Sequence, residues 1–293
     1  MNAFKKGFTE ILALFSLLAF VFIPLTFNGK DFQFRLTLFL FQKSVELIQE
    51  QLFANGIRNI DFSSDTIGLN LLLLLLFLLA IIVVVGQKLL KIKTSVFVRL
   101  FYACSPYYIG LVLLKYGIDK VLLQQFSTPE ANILYTPFGN LDKDILLWST
   151  FGTSKFYNVA IGFVEVFVAL LLFFRSTRLV GFYMSLALFL NICIINFGFD
   201  ISVKTFSLFL LLVITINISP SLKQVYAFFV RQQFVQLKSD QEALKLPYHH
   251  FVKPVLLLCI GWYILSPIAW AFNSSTQLSP FNGAYEVCLL YTS

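Results

Sequence analysis

The amino-acid sequence predicts an all-α, polytopic transmembrane helix bundle of about seven spans, and three observations predict it. Of its 293 residues, 58% are hydrophobic and only 13% charged, where soluble domains carry about 45–50% apolar and about 25% charged residues. Apolar runs long enough to cross a bilayer recur along the chain, and basic residues gather in alternate connections between them. With a mean hydropathy of +0.81, a chain of this length cannot hide its apolar surface in one water-soluble core. That excludes an ordinary soluble enzyme, a disordered chain and a disulfide-rich secreted module. Thirty-five Phe against two Met is a lipid-facing composition of rigid aromatics.

A span needs about 20 mainly apolar residues. The first covers 8–27, preceded by Lys5 and Lys6 and closed by Pro24 and Asn28-Gly29. Its start resembles a signal peptide, but no small-x-small cleavage site follows, so it reads as an uncleaved span. The second covers 67–85 around the run Leu71 to Leu76. The third, 96–123, carries Arg99, Lys115, Asp119 and Lys120, with Pro106 as a kink. The fourth covers 156–174 and the fifth 179–199; the sixth covers 204–218, ended by Ser219-Pro220, and the seventh 255–272. Between the first two, 32–55 reads as an amphipathic surface helix with Leu36, Phe39, Leu40, Lys43, Leu47 and Phe53 on one face. The stretch 221–252 reads as a second, with Val225, Phe228, Phe229 and Phe234 alternating with Lys223, Arg231 and Lys238. Both are expected as packing elements.

The net charge is +7, with pI ≈ 9.2. In a membrane chain the placement of basic residues carries the meaning, and no nucleic-acid partner follows from it. With the N-terminus inside, thirteen of the 22 Lys and Arg fall on inner segments and seven on longer outer ones, while Lys115 and Lys120 sit within the third span. This predicts a cytoplasmic N-terminus, an external C-terminus and a place in the bacterial cytoplasmic (inner) membrane.

Catalytic signatures are absent: there is no G-x-x-x-x-G-K-[ST], H-E-x-x-H or G-x-S-x-G. Cys104, Cys193 and Cys259 lie in apolar runs and read as small buried or lipid-facing residues. His249 and His250 are adjacent, point in different directions and make no metal pair, so no metal site is expected. What stands out is ionisable residues where lipid should be, since such charges normally face the bundle interior and are paired. Glu165 lies about 13 Å from the outer end of the fourth span and Lys115 about 12 Å below that of the third, at 1.5 Å per residue. Lys120 lies nearer the surface, with a stem that can snorkel either way. With Asn191, Asn196, Asp200 and Lys204 they form a candidate polar cluster in the outer half of spans three to six. Glu165 is expected to pair with Lys115, Lys120 or both. Asp200 and Lys204 would form a shallower pair, joined to the first through Asn191 and Asn196. The cluster reads either as a structural lock or as a ligand- or proton-handling site.

The stretch 99–229 resembles the DoxX-like family of bacterial membrane proteins, whose core is four transmembrane helices. The resemblance rests on Tyr116-Gly117 then Lys120; Gln125-Phe126 with Pro129; Pro137-x-Gly139; and Trp148, Gly152-x-Ser154 and Tyr157. Further on come Gly162-x-x-Glu165, Arg175-x-Thr177 and Gly181, then Asn191, Asn196, Asp200 and Lys204, and finally Pro220 and Leu222. Lys115 lies outside that pattern. Together with the spans above, the resemblance divides the chain into two N-terminal helices with an outer amphipathic segment over 1–95, a DoxX-like four-helix core over 96–230, an inner loop and seventh span over 231–272, and the start of an extramembrane segment from 273. Longer relatives of this form continue after a segment like 280–287, P-F-N-G-A-Y-E-V. Here C-L-L-Y-T-S, resembling translated adapter sequence, follows and the chain stops, so it reads as C-terminally truncated and Cys288 carries no weight.

The family name derives from a thiosulfate:quinone oxidoreductase. The resemblance therefore implies a quinone-linked membrane redox component, with electrons from a partner because the chain has no flavin, haem or iron–sulfur motif. The alternative is a non-catalytic scaffold or receptor that binds an envelope protein or lipid through the long segments 28–66 and 124–155. Expected partners are the lipid bilayer and a membrane or periplasmic protein. A transporter is disfavoured, since the sequence shows no inverted repeat.

Overall fold

A computed structural model describes residues 3–23, 32–52, 60–62, 64–92 and 95–234. Among these, all regular structure is helical: α1 (Ala3–Phe22), α2 (Phe32–Leu52), α3 (Ile67–Leu89), α4 (Ser95–Val121) and a short α5 (Ala131–Leu134), then a 3-10 turn at Phe138–Asn140. After it come α6 (Lys143–Thr153), α7 (Lys155–Phe173), α8 (Arg178–Gly198), α9 (Lys204–Ile218) and α10 (Leu222–Phe229). Four helices, α3, α4, α7 and α8, are long and apolar enough to cross a membrane, and these are spans two to five of the sequence reading. α9 has only 15 residues, about 22 Å of helix, against a hydrocarbon core of about 30 Å. It reaches span length only together with α10, across a 73° bend at Ser219-Pro220. α1 runs for 20 residues, but Lys5, Lys6 and Glu10 lie in its first turns. The seventh span, His249, His250, Cys259 and most of 221–252 lie outside the described residues.

Contacts divide the chain into two compact units, a larger one of residues 1–112 and 169–245 and a smaller one that includes 113–168. The break falls inside α4 and α7. In the larger unit, α1 packs through its aromatic rings. Phe15 meets Phe77 of α3 and Phe209 of α9 edge-on, at centroid distances of 5.6 and 6.0 Å. Phe20 stacks on Tyr108 of α4 at 4.1 Å. Ala13 and Ala19 on the same helix are fully buried, so α1 belongs to the core of the larger unit.

Helix ends in this unit borrow their hydrogen-bond partners. The last carbonyls of a helix have no partner within it, and for α1 the donors come from α2. Gln33 Nε2 donates to the carbonyls of Val21 (2.9 Å) and Ile23 (2.7 Å), and Thr37 Oγ1 to that of Phe22 (2.8 Å). This reverses the expected face of α2. Thr37, Val45 and Gln49 are buried, while Phe39, Leu40, Lys43 and Leu47 of the expected packing stripe are exposed, because the capping donors must face α1. At the same end of this unit, Asp65, just before α3, caps α9. Its Oδ2 accepts from Lys204 N (2.7 Å) and its Oδ1 from Thr205 N (2.9 Å), while Asp65 N donates to Ser202 O (3.0 Å). Position 203, at the N-cap of α9, is Val and has no oxygen to cap with.

Candidate functional site

The site of interest lies in the smaller unit, where α4 and α7 cross at two glycines. A Cβ on Gly162 would lie 2.6 Å from Gly117 O, and one on Gly117 would lie 2.8 Å from Gly162 O. Only glycine permits backbones to approach this closely. On α4, Gly117 and Lys120 share a face at i, i+3; on α7, Asn158, Gly162 and Glu165 do so at i, i+4, i+7. The close crossing therefore brings Lys120 against Glu165. Lys120 Nζ donates to both carboxylate oxygens, at 2.9 Å to Oε1 and 2.7 Å to Oε2. The two residues are 7% and 2% exposed. Charge-assisted contacts of this kind are the strong class of hydrogen bond, and burial removes the solvent screening that weakens exposed pairs.

The turn after α4 completes the surroundings. Leu123 adopts a left-handed conformation (φ 57°), and the amides of Gln124 and Gln125 fold back onto Asp119 O. This returns Phe126 over Lys120, whose ammonium lies 5.9 Å from the Phe126 ring and 5.8 Å from that of Tyr116. Phe126 in turn packs on Trp148 (4.9 Å) and Phe151 (5.1 Å), and Phe151 on Tyr157 (5.2 Å). Asn158, 1% exposed, ties the turn to α7 by donating through Nδ2 to Phe126 O (3.3 Å) and Phe151 O (3.2 Å). Its Oδ1 and Gln125 Oε1 are buried with no hydrogen-bond partner among the described residues. The arrangement is a buried ion pair roofed by aromatic rings, with two acceptor oxygens left over.

Lys115, matched in depth to Glu165, pairs instead with Asp119 at 2.8 Å, one helical turn away on α4. An i, i+4 partner on the same helix is its nearest carboxylate. Asn191, Asn196, Asp200 and Lys204 lie in the larger unit with other surroundings. Asn196 is buried and donates to Ser207 Oγ at 3.3 Å, so its amide is engaged there and does not serve as the expected bridge. Asp200 and Lys204 pair across the turn between α8 and α9, with the Asp200 side chain 79% exposed. Asn191 is exposed and bridges nothing among the described residues.

Sequence reasoning missed Asn158, although its position seven residues before Glu165 places it on the same face. It also missed Glu10, a second carboxylate inside an apolar run, 2% exposed and 3.3 Å from Lys88 Nζ. The buried hydrogen bond from Ser105 Oγ to Asn217 Oδ1 (2.9 Å) left no sequence signal beyond two polar residues within spans. Among the described residues, no three His, Cys, Asp or Glu gather as a metal site.

No protein-family model matches the chain, and no solved structure matches it. Among curated proteins it is similar to one described as "Uncharacterized protein YwoB" from Bacillus subtilis (strain 168), at 34% identity over 99 residues. The match covers 33% of this chain and 60% of that protein, so the chain spans less than two thirds of that relative's length.

Proposed function

We propose that this chain is a DoxX-like integral component of the bacterial inner membrane, linked to quinone redox chemistry through the Lys120–Glu165 site. The observation that carries the reading is the buried pair itself. Ionisable groups inside spans are costly and mark substrate or proton pathways, and this one sits beside aromatic rings and two unsatisfied acceptors. The reading includes seven spans, a cytoplasmic N-terminus and an external C-terminus, supported by the thirteen-to-seven split of basic residues and by the four described spans.

The residues fit a quinone head group. Lys120 offers a donor to a ring carbonyl, Phe126 and Trp148 offer flat apolar faces, and Asn158 Oδ1 offers an acceptor to a ring hydroxyl. When bound, the quinone supplies coupled electron and proton transfer. The chain's own part is to hold and move the proton at the Glu165 carboxylate. Lys120 orients that carboxylate through both oxygens, and the Phe126 and Trp148 rings exclude water. Electrons come from a partner subunit, since the sequence carries no redox-cofactor motif.

The test is purification of the full chain in mild detergent, with extraction and quantification of quinone. The wild-type protein should retain it. Glu165→Gln, which keeps an acceptor oxygen for Lys120, should fold and lose at least about tenfold in affinity, the weight of a single charge-assisted hydrogen bond. Absence of quinone from the wild type, or equal retention by the variant, overturns the reading. A second reading, a non-catalytic receptor or scaffold for an envelope protein or lipid, is favoured by the exposed Leu134, Tyr135 and Phe138 between α4 and α6. A stoichiometric protein partner without quinone would support it.

A further inference from the structure

We propose that α8 carries a face, centred on Asn191, through which two copies of this chain associate within the membrane. Asn191 is the fourteenth of the 21 residues of α8, three residues past its midpoint, or about 4.5 Å along the axis. It is exposed, and its amide has no partner among the described residues. Two other amides of the larger unit, on α8 and α9, are treated differently. Asn196 bonds to Ser207, and Asn217 bonds to Ser105 and to Val213 O. An amide exposed this near the middle of a span meets hydrocarbon, where unsatisfied polar groups are costly and bonding between helices is the available remedy.

The surroundings suit close approach. Val180, Ala187, Ile194 and Gly198 are exposed on the same stripe as Asn191, and Ala187 and Gly198 leave room for a neighbouring backbone. No residue of α8 beyond Arg178 is charged, so the face offers nothing to a charged partner. A carboxamide carries both donor and acceptor. An identical group across a two-fold axis satisfies both at once, and this self-complementarity selects a second copy of the chain.

The test uses the full chain in lipid nanodiscs, carrying Ala187→Cys with Cys104→Ser, Cys193→Ala and Cys288→Ser, and with Cys259 retained. Mild oxidation should yield a disulfide-linked dimer. Adding Asn191→Leu should reduce that dimer to the level of a Phe163→Cys control on an exposed position of α7. In detergent, Asn191→Leu should raise the dimer dissociation constant about tenfold, the weight of two hydrogen bonds between membrane helices, and Asn191→Gln should restore part of it. Leu in place of an exposed amide is compatible with lipid, so the span still inserts. A monomer throughout, a dimer indifferent to Asn191→Leu, or an intramolecular link between the introduced thiol and Cys259 would each overturn the proposal. The last of these would assign the face to the chain's own apolar stretch 255–272.

Discussion

In residues 113–168, the buried polar centre is a full ion pair, with both partners nearly inaccessible and one lysine held by two carboxylate oxygens. In the larger unit, the polar atoms inside the bundle are mostly neutral and bond to other neutral groups, as in Ser105–Asn217 and Asn196–Ser207. Its deepest carboxylate, Glu10, pairs with a Lys88 that remains 44% exposed. A neutral pair can lose a member and leave only a modest deficit. A dry ion pair cannot, because the survivor is a charge with nowhere to go.

The largest test of that contrast is a double-mutant cycle. Lys120→Met or Glu165→Leu alone should each cost about 3–5 kcal/mol of stability, and the double variant should recover most of it. Denaturation of the purified protein in mixed micelles would measure both. Equal losses in the single and double variants would show that the pair is not dry.

Next in size is the glycine crossing. Gly162→Ala would press a methyl group against backbone atoms of Gly117 and Val121, which cannot rotate away, at a cost of about 1–3 kcal/mol. Gly110→Ala in the larger unit meets only the edge of the Phe173 ring, which can turn, so its midpoint should shift less. A reversed order would mean that α4 and α7 are less tightly constrained at Gly162 than the contrast requires.

The smallest effect is expected at Asp65. Removing a capping carboxylate costs about 0.5–2 kcal/mol, so Asp65→Ala should lower stability by that amount and speed amide exchange at Lys204 and Thr205. Asp65→Asn, which keeps one acceptor, should retain much of the protection.

The spans α3, α4, α7 and α8 were legible because apolar runs of about 20 residues have one economical fate in a bilayer. Helix caps supplied by distant segments were not. No local signal tells Asp65 that its acceptors are wanted at α9, or tells Gln33 and Thr37 that the end of α1 lacks donors. The same blindness inverted α2, since its apolar stripe is visible in the sequence and its capping duty is not. At the site, depth singled out Glu165 and two candidate lysines. Choosing between Lys120 and Lys115 required knowing that Asp119 lies one turn from Lys115, a local rule that was available, and that Gly117 and Gly162 meet, which was not.

The Asp65 cap also bears on the order of synthesis. Its carboxylate and the amide of Lys204 are separated by 139 residues. At ribosomal rates of about 5–20 residues per second, Asp65 emerges on the order of ten seconds before the helix end it will serve. During that interval Asp65 has an acceptor without its donors, and the start of α9 gains its cap only when the two segments meet. Asp65 thus joins an early part of the larger unit to one of its last, and a chain stalled before Lys204 should lack this cap.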